Sequence, residues 1–103
     1  MANWHTKETD DLIKAIVELN SVEECYTFFE DVCTIKEIME IAQRLRVAKL
    51  LDNGLSYQAI SKETGASTAT ISRVSKCLKL GEGYRAAIAR EKDTRSDAEE
   101  VQA

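Results

Sequence analysis

The sequence predicts an all-α protein of about six helices. Three observations carry this. Proline is absent from the 103 residues and glycine occurs four times, which suits helices and argues against turn-rich sandwiches and barrels. Apolar residues recur at helical spacing along most of the chain. Helix-start signals, a hydroxyl followed three residues later by a glutamate, stand at Ser21–Glu24 and Thr34–Glu37.

Taken in order, Thr6 or Thr9 caps a first helix reaching about Leu19, with Leu12, Ile13, Ile16 and Val17 on one face. Asn20 and Ser21 break it. A second helix starts at once and carries the stripe Val22, Cys25, Tyr26, Phe29, Val32 and Cys33, with Phe28 at its margin. Thr34 opens a long third helix that ends at Asn53-Gly54, where glycine suits the left-handed position. Ile35, Ile38, Met39, Ala42 and Leu45 form one face of that helix, but Ile41, Val47, Ala48, Leu50 and Leu51 spread around it. A helix apolar on several sides needs cover on several sides. Either it is the central helix of a compact monomer or a second copy of the chain covers it. The small size of the chain favours a homodimer with closed two-fold symmetry.

Beyond this come a short helix (Tyr57 to Thr64), a tight turn (Gly65-Ala66-Ser67) and a helix from Thr68 to about Leu80. After Gly81 and Gly83 a last helix runs from Tyr84 to about Lys92. One helical domain is expected over residues 1–92, followed by a disordered acidic tail at 93–103.

Composition excludes several classes. With 44% apolar and 31% charged residues the chain is ordinarily globular. It has no apolar run long enough for a transmembrane span, and its start, MANWHTKETDD, does not read as a secretory leader. Three cysteines without a CxxC do not form a disulfide framework or a zinc site, so a reducing cytoplasm is expected, with no metal. No nucleophile–base pair or phosphate-cradling glycine loop is present, so neither an enzyme nor a cofactor is expected.

The net charge is −4, but its distribution matters more. Residues 1–55 carry 6 basic and 11 acidic side chains, residues 56–92 carry 7 and 3, and residues 93–103 carry 1 and 4. The basic segment holds SYQAISKETGASTATISRVSKCLK, Ser56 to Lys79. Two short helices crossing steeply through a three- or four-residue turn need a residue of positive φ at the end of the first, and Gly65 is there. They need a small residue where they touch, and Ser61 is there. Ile60, Ala66, Ile71 and Val74 fill the shared core positions, and Thr64 stands where a larger aliphatic residue is commoner.

The outer face of the second helix reads Ser67, Thr68, Ala69, Ser72, Arg73 and Lys76, with no acid between Glu63 and Glu82. Short side chains let a helix approach base edges in the major groove of double-stranded DNA, and the Thr68 and Ala69 methyls suit thymine methyls. Arg73, Lys76, Lys79 and Lys62 suit phosphates. The competing reading is a protein-interaction module, which would show aromatic or aliphatic anchors on this face.

The motifs RLRVAKLLDNG (Arg44–Gly54) and ETGASTATISRVSKCLK (Glu63–Lys79) resemble the tryptophan repressor superfamily, within it the small YerC/YecD-type proteins. The similarity runs from about Thr34 to Lys79. It implies an intertwined all-helical homodimer and a cytoplasmic transcriptional repressor. Such a dimer places two recognition helices in successive major grooves about 34 Å apart. By position it implies DNA contact by Gln58 and Ser61 on the first helix and Thr68, Ala69, Thr70 and Ser72 on the second.

The resemblance also implies an effector pocket at Thr34, Arg44, Thr70, Arg73, Val74 and Cys77. Four of these match the tryptophan-binding pattern in type. Val74 replaces a glycine and Cys77 a serine, so tryptophan is not the expected ligand. Either another small molecule binds, or Val74 fills the pocket and DNA binding needs no corepressor.

Overall fold

The computed structural model describes residues 3–102, and the side chains of residues 3–95. Six helices follow one another: α1 (Lys7–Val17), α2 (Val22–Val32), α3 (Ile35–Asp52), α4 (Tyr57–Thr64), α5 (Thr68–Leu80) and α6 (Gly83–Gln102). Among the described residues there is no strand. None of these helices is long and apolar enough to cross a membrane.

The helix starts follow local chemistry. Thr6 caps α1 through a reciprocal pair: the Thr9 amide donates to Thr6 Oγ1 at 3.2 Å, and the Thr6 amide donates to Thr9 Oγ1 at 2.7 Å. The same reciprocity opens α3. There the Glu37 amide donates to Thr34 Oγ1 at 3.1 Å and the Thr34 amide donates to Glu37 Oε1 at 2.8 Å. The cap of α2 is incomplete as a box. Ser21 Oγ accepts the Glu24 amide at 3.1 Å, but the Glu24 carboxylate reaches the Asn20 amide instead of that of Ser21.

The chain divides between Ile38 and Met39, within α3, into two compact units. In the first unit no residue of α1 or α2 is buried. Leu12, Ile13, Val17, Val22, Tyr26, Val32 and Ile35 are exposed, and Phe28 and Phe29 meet edge to face at 5.5 Å. These helices therefore do not bury their apolar stripes within one chain.

The second unit has a core of its own. Val47, Ala48 and Leu50 of α3, Ile60 of α4, Ala66 of the turn, Ile71 and Val74 of α5 and Ile88 of α6 are buried together. Leu51, Leu55, Leu78 and Tyr84 pack at its rim. Gly54, at φ 86°, ends α3, and the Leu55 amide donates back to the Leu50 carbonyl at 3.1 Å. Lys49 pairs with Glu91 at 2.6 Å and Asp52 with Lys92 at 2.8 Å, which ties α6 to α3 beside that core.

The expected acidic tail is helical as far as Gln102, and Ala103 lies outside the described residues. No glycine or proline follows Gly83, and Glu91 and Arg95 pair at 2.9 Å with helical i,i+4 spacing. A polar composition does not itself stop a helix when no breaker is present.

The Ile60 side chain is fully buried. Ile60→Ala is expected to lower stability by about 2–5 kcal/mol through lost burial and a residual cavity, read from urea unfolding. Gly65→Ala meets no atom within 4 Å but must hold φ 77°. Its expected cost of about 1–2 kcal/mol is backbone strain alone. The Thr34 amide and hydroxyl hold the Glu37 carboxyl below the usual glutamate range. Its stabilisation of the α3 start is present above the ordinary glutamate pKa and disappears as pH falls through the lowered one. Glu37→Gln should remove that component from an acid titration followed by circular dichroism.

Candidate DNA-reading surface

Ser56 caps α4, its Oγ accepting the Ala59 amide at 3.2 Å. Gly65 closes α4 in the left-handed region, and its amide donates to the Ser61 carbonyl at 2.8 Å. The chain then re-enters a helix at Ser67, whose Oγ accepts the Thr70 amide at 3.1 Å. The result is a helix-turn-helix, with Ile60, Ala66, Ile71 and Val74 all buried between its arms and α3.

With those residues turned inward, helical geometry brings Ser67, Thr68, Ala69, Ser72, Arg73 and Lys76 to the surface, and all six are exposed. Gln58, Lys62 and Lys79 are exposed as well. None of Lys62, Arg73, Lys76 and Lys79 forms an ion pair with a described residue. Glu63, the acid nearest the turn, pairs with Arg46 of α3 at 3.0 Å, which offsets its negative charge beside the cationic face.

Two hydroxyls expected at this surface are otherwise engaged. Ser61 is half-buried, and its Oγ donates to the Ala66 carbonyl at 2.9 Å. A hydroxyl has one proton, so Ser61 keeps only acceptor capacity. Thr70 is half-buried, and its Oγ1 accepts from Ser67 Oγ at 3.1 Å. The freely exposed short side chains at the start of α5 are thus Thr68, Ala69 and Ser72.

The six residues of the expected effector pocket fall in different settings. Thr34 belongs to the first unit, where it caps α3; the other five belong to the second. Arg44 is half-buried and Arg73 exposed. Val74 is 1% exposed and packs in the core. Cys77 is a free, exposed cysteine bordering an open cleft with Gly81, Gly83 and Tyr84. Cys25 and Cys33 are free and half-buried. Among the described residues no three His, Cys, Asp or Glu side chains are grouped to hold a metal ion.

Sequence reasoning missed the supports behind this surface. Gln43 of α3 donates from Nε2 to the Thr64 carbonyl at 3.1 Å, and Arg46 reaches Glu63. Thr64 itself donates from Oγ1 to the Ile60 carbonyl at 2.7 Å and accepts the Ala66 amide at 3.1 Å. The one available signal was the departure at Thr64 from the usual aliphatic residue.

Fold and surface together define a helix-turn-helix protein. The sequence profile of the Trp repressor protein family matches residues 7–92, and the chain belongs to that family. It is 52% identical over 93 residues to the uncharacterized protein YerC of Bacillus subtilis (strain 168), covering 89% of each chain. A proposed Trp repressor from Staphylococcus aureus shares the fold with a TM-score of 0.83 and 44% identity, over 86% of this chain and 90% of that one. A TrpR-like protein from Eubacterium eligens ATCC 27750 matches with a TM-score of 0.83 and 46% identity, over 85% and 92%.

Proposed function

We propose that the chain is a cytoplasmic, sequence-specific DNA-binding regulator, a repressor that acts as a homodimer and needs no tryptophan. The observation that carries this is the exposed face of α5. Thr68, Ala69 and Ser72 offer hydroxyls and methyls of the size that base edges admit, flanked by the cations Arg73 and Lys76, which form no ion pair with a described residue. From Ser67 to Lys76 this face carries no aromatic or large aliphatic side chain of the kind a protein partner would bury, and the exposed Leu80 stands only at the far end of α5. Family membership supports regulation rather than catalysis.

Two further observations support the finer points. The first unit leaves the α1 and α2 stripes and Ile35 uncovered, which is the surface a second copy would bury. Val74, packed in the core, is a branched side chain at the position where the family resemblance implies a glycine beside the ligand.

A pool of randomised duplexes titrated with the protein, with and without L-tryptophan, tests the reading. The expected result is a palindromic sequence enriched equally in both arms, with affinity that falls steeply as salt rises. Enrichment that requires tryptophan would remove the corepressor-free reading, and no enrichment would remove the DNA reading. Thr68→Glu should abolish the sequence preference of a folded dimer. Arg73→Ala should weaken binding across all duplexes and flatten the salt slope by about one. Ile35, at 76% exposure, sits outside the second unit's core. Ile35→Asp should therefore yield a monomer with helical content retained, seen by sedimentation; a persistent dimer would place the interface elsewhere.

A further inference from the structure

We infer that Thr64 and Gln43 are positioning residues that set the direction in which the recognition helix α5 leaves the turn, and that sequence discrimination depends on them. The inference rests on the DNA reading above.

Ala66 is the peptide just before the Ser67 cap, so its orientation determines where α5 points. Three groups hold it. Its methyl is buried at 2% exposure in the core. Its amide donates to Thr64 Oγ1 at 3.1 Å. Its carbonyl accepts from Ser61 Oγ at 2.9 Å. Thr64 cannot rotate freely, because its own proton goes to the Ile60 carbonyl at 2.7 Å. The polarity is consistent throughout: one proton donated, one lone pair accepting. Thr64 is in turn anchored to α3, where Gln43 Nε2 donates 3.1 Å to the Thr64 carbonyl. That carbonyl, on the last residue of α4, is one of the acceptors a helix end leaves without an intrahelical partner.

The line Gln43–Thr64–Ala66 thus joins the long helix to the start of the reading helix through part-buried hydrogen bonds. An aliphatic residue at position 64 could pack but could not accept the Ala66 amide. The hydroxyl supplies direction, which apolar contact does not.

The test uses the full chain. Thr64→Val keeps the shape and removes the hydroxyl; Thr64→Ser keeps the hydroxyl; Gln43→Met removes only the bond from α3. Circular dichroism checks the fold. Amide exchange at Ala66, read by NMR without DNA, should accelerate about fivefold or more in Thr64→Val and return towards wild type in Thr64→Ser. The ratio of affinities for the selected duplex and a scrambled one should fall about three- to tenfold in Thr64→Val and Gln43→Met. Affinity for scrambled DNA and its salt slope should not change, because the phosphate-facing cations are untouched. Thr64→Ser should restore the ratio. If Thr64→Val does not fold, Gln43→Met decides the matter. Unchanged discrimination in the folded variants, or unchanged Ala66 exchange in folded Thr64→Val, overturns this inference alone. A wild-type protein with no sequence preference overturns the DNA reading and this inference with it.

Discussion

Two short helices joined by three residues have no intrinsic angle between them. In this protein the angle rests on one buried contact, in which Ile60, Ala66, Ile71 and Val74 close on Val47 and Ala48 of α3. An eight-residue helix such as α4 is marginal by itself, since nucleation costs more than so few hydrogen bonds return. Its stability comes from burying Ile60, and α5 is held by Ile71 and Val74 against the same wall. Everything at the surface of α5 inherits its placement from that contact. Hydrophobic burial is non-directional, however, so the hydrogen bonds around Ala66 and the tie from Gln43 add the direction that burial leaves open.

The two halves of the chain use their apolar residues differently. The second unit encloses a small core, and α6 is held beside it by Ile88 and by ion pairs from Lys49 and Asp52. Those pairs are partly exposed, so each adds little by itself and is weakened by salt. The first unit has apolar stripes as well, yet no residue of α1 or α2 is fully buried; Ile16, Phe28 and Phe29 are half-buried. Charge divides along similar lines, with acidic side chains dominating residues 1–55 and basic ones the segment around the turn. Local potential rather than net charge governs attraction to phosphate.

Much of the fold was legible in the sequence because its signals are local. The caps at Thr6, Ser21, Thr34 and Ser67 follow from side chains three residues from the amides they serve. Gly54 and Gly65 fall where positive φ is required. The core positions of the turn were readable from helical periodicity. The end of the last helix was less legible: it was expected near Lys92, although nothing after Gly83 breaks a helix, and α6 runs to Gln102. Ser61 was legible as the small residue where the two helices touch, but not as the donor to the Ala66 carbonyl.

Local sequence signals specify where the helices begin, which glycine makes the turn, which four residues lie beneath it and which six line its outer face. Each of these depends on neighbours within one or two helical turns. Packing of the helices brings Gln43 to Thr64, Arg46 to Glu63 and Lys92 to Asp52, across separations of 21, 17 and 40 residues. Charge and amide groups carry no mark of a distant partner. Their pairing is set by the packing of Val47, Ile60, Ile71 and Ile88, which brings the helices together before any of these polar groups can find one another.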